Sequence, residues 1–388
     1  MRRLWAILCG AAVLGGCNQD HIFFSITQEV DLVDPRINGT PTAAVTLGGT
    51  VYVASKFSGA IHTYTAGAWG VMAKQPGGKI IELAGTENFL FALTSSSGDP
   101  AGSVTLRKIE AGSIGSGDWE TVSGAPANTQ SLYGAGEYVF AGVMTRSGTF
   151  KDDAGIETTV EISGTPVAGF EIWGAKEDAA ALTCLKEKTT FLTGAAFDGA
   201  ATYYLGTNRP YSQGGGIYTF AAGGAAVSSA AEPGTKGLDI AGIIALPNTT
   251  AVMGVSRNGS LLYNGGGGGG FTLLPAGLTF TGALGVWESG GGAKKLLLLG
   301  IQGGSTSTTH GYRELALAAD GSLDPNNTHL ASPGASANSS VSNADKYESS
   351  LRRHPLVGIT QAPDGILFAA TLKNGLWAYR NDEWNAEE

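Results

Sequence analysis

The sequence predicts an all-β chain folded as a seven-bladed β-propeller of four-stranded antiparallel blades, and three observations carry that expectation. A strand–turn–strand pattern recurs along nearly the whole chain. Glycine, at 60 of 388 residues, is used at about twice its ordinary frequency. No long stretch shows the 3.6-residue apolar period of a helix.

Each copy of the pattern is a short apolar strand ending in small residues, a polar turn, then glycine and a second strand with an aromatic end. Clear copies run over Val51–Tyr64, Thr202–Phe220, Ala251–Asn264 and Ile366–Trp384. Looser ones span Phe89–Ile109 and Lys295–Leu315. The seventh runs from Tyr138-Val139-Phe140 to Gly169-Phe170-Glu171-Ile172-Trp173 around a long insertion. The glycine opening the second half falls at 59, 102, 169, 216, 259, 311 and 375, so the base period is 43–47 residues with interruptions. Propeller blades repeat at about 40–50 residues. Apolar stretches before the copies, such as Ile240–Leu246 and Leu356–Thr360, are predicted to be innermost strands. Ala54, Gly206, Gly254 and Ala370 suit the packed middle of sheets sandwiched between neighbours. The abundant glycine is expected mainly in tight turns between many short strands.

The last copy carries a family resemblance. Pro363-Asp364-Gly365-Ile366-Leu367-Phe368-Ala369-Ala370-Thr371 followed by Asn374-Gly375-Leu376-Trp377-Ala378-Tyr379 resembles a blade of the periplasmic sensor propellers of hybrid two-component regulators. Phe368 stands where that family often has tryptophan, and Asn381-Asp382 follows Tyr379 later than in its repeats. The tandem Trp-Asp signature of WD repeats is absent. This copy ends close to Glu388, leaving little room for a fourth strand. Ile22–Val30, strand-like and without a repeat partner, is therefore expected to fill or extend the outer edge of the last blade and lock first to last.

The N-terminus has a different character. Arg2 and Arg3 precede an apolar run from Leu4 to Leu14, which is too short for a bilayer span of roughly 20 residues. A basic start, a short apolar run and small residues before a cut mark a secretory signal. The closing Leu14-Gly15-Gly16-Cys17 resembles the lipobox of bacterial lipoproteins. That resemblance implies a diacylglyceryl group on the Cys17 thiol, cleavage before it, and a further acyl chain such as palmitate on the new N-terminus. Several chains hold a protein durably where one does not. The expected organisation is a signal peptide over 1–16, a lipidated N-terminus, linker and closing strand over 17–39, and the propeller over 40–388. Insertions are expected near 144–168 and 316–353.

Removing residues 1–16 takes two arginines and no acids, leaving 22 basic residues against 33 acidic ones. A formal charge of −11 disfavours nucleic acid and electrostatic docking on anionic lipid, both of which reward basic patches. Cys9 lies in the signal and Cys17 takes the lipid, so Cys184 has no disulfide partner within the mature chain. Its apolar setting, Ala181-Leu182-Thr183-Cys184-Leu185, reads as a buried, inert thiol.

The site candidates are few. His21, His62, His310, His329 and His354 share no short metal-ligand spacing. Asp152-Asp153, and Asp320 through Asp324 to Asn326-Asn327, lack the regular oxygen spacing of a calcium loop and read as solvated turns. Gly265–Gly270 is followed by no Lys-Ser/Thr and reads as a hairpin turn. Tyr211, Trp287 and Tyr347 either line a ligand face or pack between blades. The second insertion, from Asn343 to Arg353, could form a short helix and is a candidate for partner contact. No catalytic, cofactor-binding or metal-binding residue is assigned and no cofactor is expected, leaving Cys17 as the assigned modification site. These features point to a cell-envelope lipoprotein on the periplasmic face or the cell surface. It would act as a non-enzymatic scaffold for a protein or glycan partner, in the general layout of lipoprotein propellers that hold partners during outer-membrane protein assembly. The alternative is an extracytoplasmic propeller enzyme acting on glycans or sugars as a hydrolase, lyase or quinone-dependent dehydrogenase.

Overall fold

The blades are built from strands that are apolar on both sides, because each sheet is covered by a neighbour on each face. The computed structural model describes residues 36–96, 103–144, 148–151, 157–160, 170–208, 215–266, 269–292, 294–302, 310–324, 330, 350–380 and 383–387. Seven antiparallel sheets follow one another along the unit Ile37–Glu387.

Blade 1 holds β1 (Val45–Leu47), β2 (Thr50–Ala54), β3 (Ile61–Thr65) and β4 (Ala68–Val71). Blade 2 holds β5 (Lys79–Gly85), β6 (Phe89–Ser95), β7 (Val104–Glu110) and β8 (Glu120–Val122). Blade 3 holds β9 (Thr129–Ala135), β10 (Tyr138–Met144), β13 (Phe170–Lys176) and β14 (Thr183–Thr189), with a separate hairpin of β11 (Gly148–Lys151) and β12 (Glu157–Val160) inside the first insertion. Blade 4 holds β15 (Phe191–Phe197), β16 (Thr202–Asn208) and β17 (Gly216–Ala221). Blade 5 holds β18 (Ile240–Ala245), β19 (Val252–Ser256), β20 (Ser260–Asn264) and β21 (Thr272–Pro275). Blade 6 holds β22 (Phe280–Glu288), β23 (Lys295–Ile301) and β24 (Tyr312–Leu317). Blade 7 holds β25 (Leu356–Gln361), β26 (Leu367–Thr371), β27 (Leu376–Arg380) and β28 (Glu383–Ala386).

The first strands of the blades touch in a closed cycle, β1 to β5, β9, β15, β18, β22, β25 and back to β1. They are the innermost strands, as expected for Ile240–Leu246 and Leu356–Thr360. Seven apolar clusters fill the seven blade–blade interfaces. In β2 the period-2 alternation sends Val51 and Val53 toward blade 7 and Tyr52 and Ala54 toward blade 2. Ala54 and Ala370 are fully enclosed. A Cβ at Gly206 would meet Ile240 Cγ2 of the next blade at 2.8 Å, so the small residues sit where packing leaves no volume.

Three expectations are corrected. Blades 4 and 6 show three strands among the described residues instead of four. In blade 4 an irregular segment replaces the outer strand: Ser228 N–H donates to Thr219 O at 2.7 Å, and Glu232 N–H to Ile217 O at 2.7 Å. The last blade does have a fourth strand of its own, β28, paired with β27 from Trp377↔Ala386 to Arg380↔Glu383. Ile22–Val30, expected at that edge, lies outside the described residues. Glycine also does more than make turns. A Cβ on Gly134 of β9 would lie 1.9 Å from Gly85 O of β5, and one on Gly285 of β22 would lie 2.6 Å from Ile359 O of β25. Glycines in the innermost strands let neighbouring backbones meet around the axis.

Among the described residues the ring closes by contacts between blades 1 and 7. Tyr64, Trp69 and Phe368 pack edge to face across blades 1 and 7, with centroids 4.9–5.5 Å apart. The Tyr64 hydroxyl donates to Asp364 at 2.6 Å. Glu387, only 4% exposed, accepts from Trp69 Nε1 at 2.5 Å and takes both Arg380 nitrogens at 2.8 and 2.9 Å.

Candidate functional site

An antiparallel meander sorts its connections onto two faces. First-to-second and third-to-fourth turns share one face; second-to-third loops and the passages between blades share the other. On the first, the turn face, the connections are mostly tight: Gly48-Gly49 joins β1 to β2 and Gly136-Glu137 joins β9 to β10. The β6–β7, β10–β13, β16–β17 and β23–β24 connections all emerge on the second, the loop face. The first insertion, with its β11–β12 hairpin, is therefore a loop-face feature. The second insertion leaves β24 on the turn face and re-enters β25 on the loop face through a 3-10 turn, Ser350–Arg353, that buries Leu351.

Charge varies from sector to sector around the two faces. Glu87, Glu137, Asp178, Asp198, Asp320 and Asp364 all sit in turn-face connections. On the loop face the connections 37–44, 55–60, 72–79, 350–355 and 372–375, around blades 7 and 1, contain no aspartate or glutamate. They carry Lys56, Lys74, Lys79, Arg352, Arg353 and Lys373, of which Lys74 is paired with Asp118 at 2.7 Å.

Thr40 organises this sector. Its carbonyl accepts from Lys56 N–H at 2.8 Å, and its hydroxyl accepts from Lys373 N–H at 3.1 Å. The β2–β3 and β26–β27 loops are thereby tied to one residue. Phe57 in the first loop has φ +66° and Lys373 in the second has φ +69°. A left-handed backbone costs a bulky residue on the order of 1–3 kcal/mol, so the surroundings must impose it. At Phe57 they do: its N–H donates to Ile80 O at 2.6 Å, and Ile80 N–H returns a bond to Ser58 O at 2.7 Å. The ring is left 40% exposed. Lys56 turns inward to Glu82 at 2.8 Å, and the other Glu82 oxygen accepts Ala43 N–H at 3.0 Å.

A second cluster lies beside it between blades 6 and 7. Asn374 Nδ2 is 2.8 Å from His354 Nδ1. An amide nitrogen only donates, so the imidazole accepts there and carries its proton on Nε2. The ring packs on Trp377 with centroids 5.8 Å apart. Burial, His310 and Arg353 together hold His354 below its ordinary pKa, and burial lowers His310 as well. Two of the five histidines are thus close enough to feel each other, although 44 residues separate them in sequence.

The remaining candidates scatter. His62 lies in β3, and Trp287 packs against the cluster between blades 6 and 7. Cys184 is half-buried in β14, its thiol pushed up by burial and by Glu171. Asp320 accepts Ser322 N–H and Oγ at 2.9 and 2.7 Å, a local turn. In the glycine run, Asn264 spans the hairpin from Gly266 N–H to Gly269 O. Cys17, His21, Asp152, Asp153, Tyr211, Asn326, Asn327, His329 and Tyr347 lie outside the described residues, as does most of the expected 343–353 helix. Among the described residues no three His, Cys, Asp or Glu side chains converge as metal ligands would. Sequence reasoning missed the clamp between blades 2 and 3, where Glu177 accepts from Asn88 at 2.6 Å and Lys108 Nζ reaches Glu177 O and Ala179 O at 2.9 and 3.0 Å.

No protein-family model matches the sequence, and no curated protein matches it. Solved structures share its architecture. The WD40 propeller domain of Doa1 superposes with a TM-score of 0.52 at 9% identity, covering 89% of this chain and 95% of that one. YCF48 bound to D1 peptide reaches 0.49 at 10% identity, covering 89% and 94%. PorZ, a surface component of the type-IX secretion system of Porphyromonas gingivalis, reaches 0.49 at 11%, covering 91% of this chain and 38% of that one. At such identities the likeness is one of fold, and fold alone does not assign activity.

Proposed function

We propose that the chain is a lipid-anchored protein of the cell envelope that holds a protein or glycan partner on the loop face of its propeller. The observation that carries the binding role is the sorting of the β6–β7, β10–β13, β16–β17 and β23–β24 connections onto one side of a rigid ring. The signal-like N-terminus and the lipobox resemblance at Cys17 support the anchor. A glycan-cleaving enzyme needs two carboxylates open to substrate. Four enclosed carboxylates are committed to the framework and not open to substrate: Glu82 to Lys56, Glu177 to Asn88, Asp198 to the N–H groups of Ala200, Ala201 and Thr202, and Glu387 to Arg380.

Photo-crosslinking in intact cells tests the reading. A crosslinker at Lys236 or Asn258 on the loop face should yield one discrete adduct, and at Asp178 or Asp320 on the turn face none. Adducts confined to the turn face, or release of sugar from envelope glycans by the purified chain, would contradict it.

A further inference from the structure

The sector around Phe57 combines an exposed aromatic ring with neighbouring lysines, the combination that an anionic lipid surface rewards. Phe57 is the exposed aromatic of the β2–β3 loop, held outward by a left-handed backbone and two backbone bonds to Ile80. Those bonds place Lys79 beside it, and the shared anchor at Thr40 places Lys373 on its other side. Lys79, Arg353 and Lys373 form no ion pair among the described residues, whereas Lys56 is already spent on Glu82. The domain's own first residues, Ile37–Thr40, lie on this face: Ser55 Oγ donates to Asn38 O, and Gly375 N–H donates to Gly39 O at 2.8 Å.

We propose that Phe57, Lys79 and Lys373 form a docking edge by which the loop face seats on an anionic phospholipid surface. Phe57 enters the headgroup boundary and the lysines meet lipid phosphates, the pairing that draws amphipathic surfaces onto bilayers. Net charge does not forbid this. Screening confines surface electrostatics to about 8–10 Å, and the loop-face connections around blades 7 and 1 contain no aspartate or glutamate of their own. An anionic surface attracts a basic sector of this kind toward itself. The inference rests on the anchored reading for its cellular setting, since a lipid at Cys17 would hold the chain at the bilayer at high local concentration. Docking through blades 7 and 1 leaves the loops of blades 3 and 4 free for a partner.

The test separates the two claims by using the full chain with Cys17→Ala, which no lipid can hold. It is sedimented with vesicles of phosphatidylglycerol and phosphatidylethanolamine, or of phosphatidylcholine alone. We expect binding to the anionic vesicles only, abolished by high salt. Lys79→Gln and Lys373→Gln should each weaken it roughly fivefold, and the pair roughly twentyfold or more. Phe57→Ser should weaken it without changing its salt dependence. Thermal melting and circular dichroism of each variant confirm that the ring is intact. Equal binding to both vesicle types, or no loss in the double variant, would overturn the proposal. So would no binding to anionic vesicles alongside charge-dependent binding to polyglutamate, which would assign the sector to an acidic protein instead. Detergent partitioning of the unaltered chain reports on the anchor separately.

Discussion

At Gly134 a backbone carbonyl of the neighbouring blade stands where a side chain would begin. Gly134→Ala is expected to destabilise the ring by about 1–3 kcal/mol, the usual cost of overfilling a packed site. Gly290→Ala, where a Cβ meets nothing, serves as the control, with the melting temperature as the readout. His354 makes a second prediction at this scale. Its folded pKa lies below the ordinary 6.5, so the unfolded chain takes up the proton more readily. Stability is therefore full above about pH 7 and declines as pH falls through and below the ordinary histidine value. His354→Gln should flatten the fall in melting temperature between about pH 7.5 and 5. His310→Gln should raise the His354 pKa, because one of its opposing charges is gone; NMR titration reads that shift.

Among the elements, the second and third strands of each blade were readable in the sequence because they are buried on both sides. VYVA, FLFAL and LLLLG stand out as apolar runs followed by a glycine turn. The innermost strands were harder, since glycines such as Gly134 and Gly285 interrupt their apolar pattern for a reason that belongs to the adjacent blade. β28 was invisible for another reason: Glu383-Trp384-Asn385-Ala386 is short and half polar, and among its described side chains only Trp384 packs inward. The His310–His354 pair and the Lys108–Glu177 clamp were illegible because each joins residues from different blades. Ring closure belongs to this scale as well. Glu387→Gln leaves Arg380 without its carboxylate and weakens the bond from Trp69. Because Arg380 is itself 39% exposed, the expected cost is modest, about 1–2 kcal/mol in urea unfolding. Faster hydrogen exchange should appear in β4 and β27 and spare β15–β21. A uniform change across all blades would show that the carboxylate does not act as a local latch.

The whole molecule is a ring with unlike faces. One carries mostly tight turns, with Glu87, Glu137, Asp178, Asp198, Asp320 and Asp364 among them; the other carries the long loops and a cationic, aromatic sector beside the point where the domain begins. The negative balance of the sequence is an average over the chain, and it concealed the basic sector that the loops around blades 7 and 1 bring together. The proposed account joins this difference to a lipid at Cys17: the anchor holds the chain at the membrane, the basic sector seats on the bilayer, and the ring presents its remaining loops to a partner. Phase partitioning in a cloud-point detergent, with the intact mass of the purified mature chain, tests that account most directly. The account predicts that the native chain loses residues 1–16, gains the mass of its acyl groups and enters the detergent phase, while Cys17→Ala stays in the aqueous phase. A native chain of unmodified mass in the aqueous phase, or a Cys17→Ala chain that still partitions into detergent, would contradict it.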